Sequence, residues 1–266
     1  MKEIVKKLFQ KKFLSINIIH AVNVLLLLLY AGTFPMLIKQ QEVLTTVLKS
    51  LPPEMLKAFG VDSQSMSSFE GYLAVKHIVP IWVIIVLLVA IPAATFISKS
   101  LDDNTGELIF AQPISRIKTG FATFISAFLQ VLYFVIPSIL IIIPICWIFG
   151  VEVHYTNYLY FAIESIGFSI FITGLIFCLD MFVNSSGKVM GIVMAYLIGS
   201  YGIYIVSKVI TDLDFTKYFS FFYYYDPSSS LGSGNLNGWN VLLFTALGLG
   251  FLGLAIWKIN NRDLTK

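Results

Sequence analysis

The side chains best suited to metal ligation or nucleophilic attack in this 266-residue sequence are three histidines and two cysteines, and they are scattered. His20, His77 and His154 lie in different parts of the chain, with no HExxH and no acidic partner at ligand spacing. Cys146 and Cys178 sit inside apolar runs without CxxC spacing, so neither a zinc site nor a disulfide framework is read from them. Gly187-Lys188 is the nearest approach to a phosphate-binding loop. Val189 stands where a hydroxyl should hold magnesium, and Phe182 where the first glycine should be. Gly167-Phe168-Ser169 lacks the final glycine of a nucleophile elbow. An intramembrane serine protease would need a histidine deep in another span, and His20 is the one candidate. The reading is a non-enzyme, with no catalytic, cofactor or metal site of its own.

Polar groups inside apolar runs are the next source of chemistry. A charge at the bilayer centre costs at least ~2.5–3.5 kcal/mol on insertion scales, so it tends to be paired or functional. Glu164 and Lys208 fall at compatible depths, and Asp180 lies toward the opposite end of the run that holds Glu164. A structural Glu164–Lys208 pair is expected. Lys208 reaching to head groups, or Glu164 in substrate coupling, are the alternatives. Asn17, His20 and Asn23 recur every three residues and read as interhelical hydrogen-bonding groups rather than substrate ligands.

The polar segment from Ser98 to Gly120, SKSLDDNTGELIFAQPISRIKTG, is the most informative. Asp102 and Asp103 open it, Asn104 or Thr105 can cap a short helix through Glu107 to Phe110, and Pro113 breaks that helix. Arg116 and Lys118 mark re-entry into an apolar run. An acidic helix with too little apolar surface to fold alone is a handle for another protein. An ordinary connector with positive flanks is the bland alternative.

The elements that position these residues follow from composition. Hydrophobic residues make up 57% of the chain and charged ones 12%, with a mean hydropathy of +0.83. A soluble domain carries roughly 25% charge. Apolar runs near the ~20 residues that a helix needs to cross hydrocarbon point to an all-α membrane protein, and their lack of alternation excludes a barrel. Six spans are read, at about Leu14–Ile38, Ile78–Ile97, Phe121–Gly150, Tyr158–Phe182, Val189–Val206 and Trp239–Trp257. Pro137 and Pro144 predict a kink or tilt in the third. The whole chain, 1–266, is one transmembrane domain. With both termini in the cytoplasm, inner segments hold twelve Lys and Arg and outer ones six, which sets the orientation.

Three flanking segments have characters of their own. In residues 1–13, Ile4, Val5, Leu8, Phe9 and Phe13 share a face ringed by Lys2, Lys6, Lys7, Lys11 and Lys12, the pattern of an interfacial amphipathic helix. A signal-peptide n-region fits less well, because no small-x-small cleavage site follows. Pro52, Pro53, Glu54 and Gly60 mark a short outer helix. Residues 210–238 carry eight aromatics between Phe215 and Tyr225. An interfacial belt is the first reading, a protein-covered re-entrant hairpin the second and a substrate platform the third.

The 98–120 segment resembles the region of ABC-2 type transporter permeases in which an acidic stretch precedes GTLE, a leucine-rich turn and QPISR. The matching residues are Thr105, Glu107, Leu108, Gln112, Pro113, Ile114, Ser115 and Arg116. Asn104 and Gly106 depart from the family's glycine and leucine. The outer LPPEMLKAFG, the YYYDPSSSL stretch and the C-terminal NNRDLTK resemble further blocks of that family, so the likeness spans nearly the whole chain. It implies the membrane-spanning subunit of an ATP-binding cassette exporter in the cell membrane, paired with a second permease subunit as homodimer or heterodimer. A separate cytoplasmic ATPase would bind ATP and magnesium and dock on the loop around Asp103 and Glu107. No nucleic acid is implied. An ion-gradient-driven secondary transporter is the main alternative and a membrane-embedded enzyme a weaker one.

Overall fold

The computed structural model describes residues 2–40, 68–103, 115–183 and 185–261, and four isolated positions, 46, 50, 52 and 56. Every regular element among them is helical. The short outer helix expected after Pro52 lies outside the described residues, apart from a Leu56 N–H bonded to the Pro52 carbonyl at 3.3 Å.

Helix α1 (Lys2–Lys39) runs unbroken. Glycine and proline first appear in it at Gly32 and Pro35, so nothing in its first eight turns interrupts the backbone ladder. Helix α2 (Phe69–Leu73) is capped by Ser68, whose Oγ accepts the Gly71 N–H at 3.1 Å. A π-helical stretch (Ala74–Trp82) then leads into α3 (Val83–Ala94), with a bend of 45° between Phe69–Val79 and Val83–Ala94. After a break at Thr95 comes α4 (Phe96–Asp102). Helices α5 (Arg116–Leu140) and α6 (Ile142–Phe149) form one long apolar rod, broken at Ile141 between Pro137 and Pro144. Each proline removes a ladder donor, which accounts for the break. Gly150, at φ +66°, ends α6, in a conformation that L side chains rarely adopt. Helices α7 (Tyr155–Val183), α8 (Ser186–Val209) and α10 (Gly238–Asn260) follow. Between α8 and α10 lie a 3₁₀ segment (Thr211–Phe219), the single turn α9 (Phe221–Tyr224) and a π turn (Ser228–Gly232).

Among the described residues, five helices are long and apolar enough to cross a membrane, within Lys12–Lys39, Arg116–Phe149, Tyr155–Val183, Ser186–Val209 and Gly238–Asn260. The bent pair Phe69–Val79 and Val83–Ala94 adds either a broken span or a re-entrant loop. The chain is a multi-pass helical membrane protein.

Helix α7 is the centre of the bundle. Two-thirds of its most apolar window is buried (67%), against 17% for α1 and 22% for α8 and α10, whose remaining apolar faces are left for lipid. Helices α7 and α10 touch backbone to backbone. A Cβ on Gly174 would strike the Gly248 carbonyl oxygen, one on Gly248 would come within 2.6 Å of the Ile170 carbonyl, and one on Gly167 within 3.2 Å of Val241. The pairings 167 with 241 and 174 with 248 advance together, so the two helices are parallel. Small residues permit this approach, and dispersion between the helices replaces the hydrophobic drive that lipid does not supply.

Residues 2–13 differ from expectation. They are the first turns of α1, not a separate helix, and they pack along α5. Phe9 and Phe13 each sit 5.4 Å from the Tyr133 ring, and the Ser126 hydroxyl donates to the Val5 carbonyl at 3.4 Å. The face that periodicity assigned to lipid is partly spent on another helix.

Candidate functional site

At the Arg116 end of the bundle, α4 is tied to α7 and α8 by side chains far apart in sequence. The Ser98 N–H donates to Asp180 Oδ2 at 3.3 Å, and the Ser98 hydroxyl donates to the Asp180 carbonyl at 2.9 Å. Both residues are fully buried. One turn on, Asp102 Oδ2 accepts the Ser186 N–H at 3.0 Å and the Ser186 hydroxyl at 2.9 Å. Asp103 closes the helix with its N–H on the Lys99 carbonyl at 2.9 Å and is exposed. The chain returns at Ser115, the N-cap of α5, whose Oγ accepts the Lys118 N–H at 3.4 Å. Arg116 is exposed beside it. Thr105, Glu107, Leu108, Gln112 and Pro113 lie outside the described residues. Their flanks, Asp103 and Ser115, both stand beyond the apolar rods.

The polar residues of α1 each meet a partner on a neighbouring element. The Tyr133 hydroxyl donates to Asn17 Oδ1 at 2.9 Å. His20 Nδ1 lies 2.8 Å from the Ser138 hydroxyl. His77 Nε2 lies 3.0 Å from Asn23 Oδ1, and since that oxygen only accepts, Nε2 carries the proton. His77 and Asn23 are both fully buried, and His77 falls in the π-helical stretch where the second rod bends.

At the opposite end, Glu164 is buried and does not pair with Lys208. One carboxylate oxygen accepts the Asp226 N–H at 2.7 Å, and the other accepts the Ser230 hydroxyl. Lys208 lies instead over the Tyr204 ring, 4.4 Å from its centroid. The expected pair fails because both oxygens of Glu164 are taken by the 226–230 segment, while Lys208 turns to an aromatic ring. Burial pushes the Asp226 carboxyl up from its ordinary range, opposed by the charge of Lys208.

The aromatic segment is exposed before Ser220 and mixed after it, where Tyr223 still faces outward. Phe215, Tyr218 and Phe219 are exposed, as a belt requires, whereas Phe221, Phe222 and Tyr225 are buried. Tyr225 stacks on Phe168 with centroids 4.4 Å apart, and its hydroxyl meets Ser165 at 3.2 Å. The Ser220 hydroxyl donates to the Ser200 carbonyl at 2.7 Å, and the Phe221 N–H to Ser200 Oγ at 3.1 Å. Asn157 Nδ2 holds the Leu231 carbonyl at 2.8 Å. This loop is a plug, fixed by Glu164, Ser200 and Asn157. An apolar cavity of about 550 Å³ lies beneath it, walled by Phe171, Leu175, Ile192, Tyr196, Phe244 and Leu247.

Glu70 is a buried acid not singled out from the sequence. It accepts the His154 N–H at 2.9 Å and lies 3.2 Å from His154 Nδ1. Its position two residues after the capping Ser68 was the available signal, since an acid in the first turn marks a helix start. Among the described residues, no group of three or more His, Cys, Asp or Glu could hold a metal ion. The arrangement therefore consists of interhelical polar contacts, a buried aromatic segment at the far end and, at the Arg116 end, a helix α4 tied to α7 and α8. Comparison with known protein families, curated proteins and solved structures finds no match.

Proposed function

We propose that this chain is the permease subunit of an ATP-binding cassette exporter of the ABC-2 type, with six spans, both termini in the cytoplasm, and its place in the cell membrane. The bent pair Phe69–Val79 and Val83–Ala94 serves as the second span. The observation that carries the reading is the 103–116 segment. Its residues Thr105, Glu107, Leu108, Gln112, Pro113, Ser115 and Arg116 resemble the family's ATPase-docking block, and its described flanks, Asp103 at the end of α4 and Ser115 at the start of α5, are exposed. There a soluble partner reaches it. Glu107 pairs with a basic residue of that ATPase, while Gln112 and Arg116 hold the loop to the partner and the membrane face. ATP and magnesium belong to the partner.

A second permease subunit completes the pathway. Helix α8 supports this. It buries Val189, Val193, Leu197 and Ser200 on one side. On the other, Gly187, Gly191, Gly199 and Gly202 have nothing within 4 Å, the small-residue spacing at which membrane helices pair. The aromatic and aliphatic cavity under the plug suits an amphipathic cargo or a lipid chain. The experiment is copurification of a soluble ATPase with the full chain, and its loss on Glu107→Lys.

A gradient-driven secondary transporter is the second reading. The observation favouring it is the buried His77–Asn23 pair at the bend of a broken rod, since such transporters place their sites at discontinuous helices. Transport that persists without any ATPase, and that stops in His77→Ala, would select it.

A further inference from the structure

We infer that Asp102 and Ser186 are positioning residues, forming the joint through which the loop after α4 moves α8; this rests on the ATPase-driven reading above. Helix α4 is separated from α3 by the non-helical Thr95 (φ −90°, ψ 25°), so a displacement of α4 need not carry α3 with it. Its buried part, Ile97, Ser98 and Ser100, packs into the bundle, and side-chain hydrogen bonds join it to α7 and α8. Ser98 is fixed to Asp180 on α7, the central helix of the bundle, where both side chains are inaccessible. That contact is a pivot. Asp102 lies four residues further, about 6 Å along the axis. It is exposed and holds the first turn of α8. Force applied beyond Asp103 therefore turns α4 about Ser98 and is delivered at Ser186.

The receiving helix is held over little of its surface. Only Val189, Val193, Leu197, Ser200 and Ser207 of α8 are buried, and its opposite face is open at four glycines. Toward its far end it is anchored to the plug through Ser200 and through Tyr196 and Tyr201 on Phe221 and Phe222, and at its start Ser186 is bonded to Asp102. Its N-cap, Ser185, makes no capping bond from its own side chain. Asp102 supplies the missing acceptor from a distant segment and sets a negative charge at the positive end of the helix dipole. Breaking the joint leaves α8 in place through its apolar stripe but disconnects it from the loop.

The test uses the full-length permease with its copurified ATPase, and follows amide hydrogen exchange in the first two turns of α8 with and without ATP and magnesium. In the wild type, nucleotide changes exchange there. Asp102→Ala and Ser186→Ala should raise exchange without nucleotide, keep the ATPase bound, and lose the nucleotide-dependent difference. Asp102→Asn keeps an accepting oxygen and should retain the difference. Should the alanine variants misfold, the pair Asp102→Cys with Ser186→Cys serves instead: a disulfide preserves the difference, and reduction removes it. A difference of wild-type size in Asp102→Ala, or in the reduced cysteine pair, overturns the joint. Failure of the wild type to bind an ATPase, or to respond to nucleotide, overturns the functional reading itself and the joint with it.

Discussion

The carboxylate of Glu164 accepts the backbone N–H of Asp226 at 2.7 Å, across 62 residues of chain, and thereby holds the aromatic plug against α7. Its other oxygen takes the Ser230 hydroxyl. A hydrogen bond to a charged group contributes roughly 1.5–3 kcal/mol. Glu164→Leu should therefore destabilise the plug by about that much and raise amide exchange through 226–231, and Glu164→Gln should do less. Since Lys208 is not its partner, Glu164→Gln and Lys208→Met should be additive within about 0.5 kcal/mol in thermal unfolding. A coupling above ~1 kcal/mol would restore the direct pair.

The α7–α10 contact gives a second expectation. Gly174→Ala forces a methyl against the Gly248 carbonyl and should cost roughly 1–3 kcal/mol. Gly250→Ala on the exposed side of α10 meets open space and should bring no loss of stability. Equal losses in detergent melting curves would place the close contact elsewhere.

Asp226 makes stability depend on pH. Burial raises its carboxyl above the ordinary 3.8, so the protonated form is the one the fold favours. The resulting stabilisation is complete below the ordinary value and is lost as pH rises through the raised one. Wild-type melting temperature should therefore fall, relative to Asp226→Asn, as pH rises above the ordinary carboxyl value of 3.8. A flat difference, or one of opposite sign, would mean that the attraction of Lys208 outweighs burial.

His77 and Asn23 should be coupled. Either single alanine leaves a buried polar partner, so the double variant should cost less than the sum. Interhelical hydrogen bonds in membranes average about 0.6 kcal/mol and reach about 1.7. A double-mutant cycle of thermal stability that sums without coupling would dissolve the pair.

Much of this arrangement is written in hydropathy. A crossing helix must hide its backbone over about 20 residues, so the runs around Leu25, Ile139, Phe171, Leu197 and Leu247 announce themselves. The start of the second rod does not. Glu70, Lys76 and His77 count against an apolar window, and only folding shows that His154 and Asn23 satisfy two of them. The N-terminal amphipathic face is legible, but periodicity cannot distinguish a lipid surface from Tyr133 of α5. The depth of Glu164 is legible too. Its partner is not, because a backbone N–H is carried by every residue but proline. Ser98, Asp102 and Ser186 come together only through the packing of α4 on α7 and α8.

The central claim is that the loop bearing Glu107 docks a cytoplasmic ATPase, and a pull-down of the full-length chain from membranes tests it most directly. Glu107 lies in a polar segment, so Glu107→Lys should leave insertion and expression near wild type. Reversing one partner of a buried interfacial charge pair costs roughly 2–5 kcal/mol or more, which corresponds to at least a thirtyfold loss of affinity. The matched control is Asp212→Lys, an exposed charge in the 3₁₀ segment at the other end of the bundle. Asp214 is unsuitable because it bonds Lys217 at 2.6 Å. The account predicts that the ATPase copurifies with the wild type and with Asp212→Lys, and is lost from Glu107→Lys. Full ATPase recovery with Glu107→Lys, or none with the wild type, would contradict it.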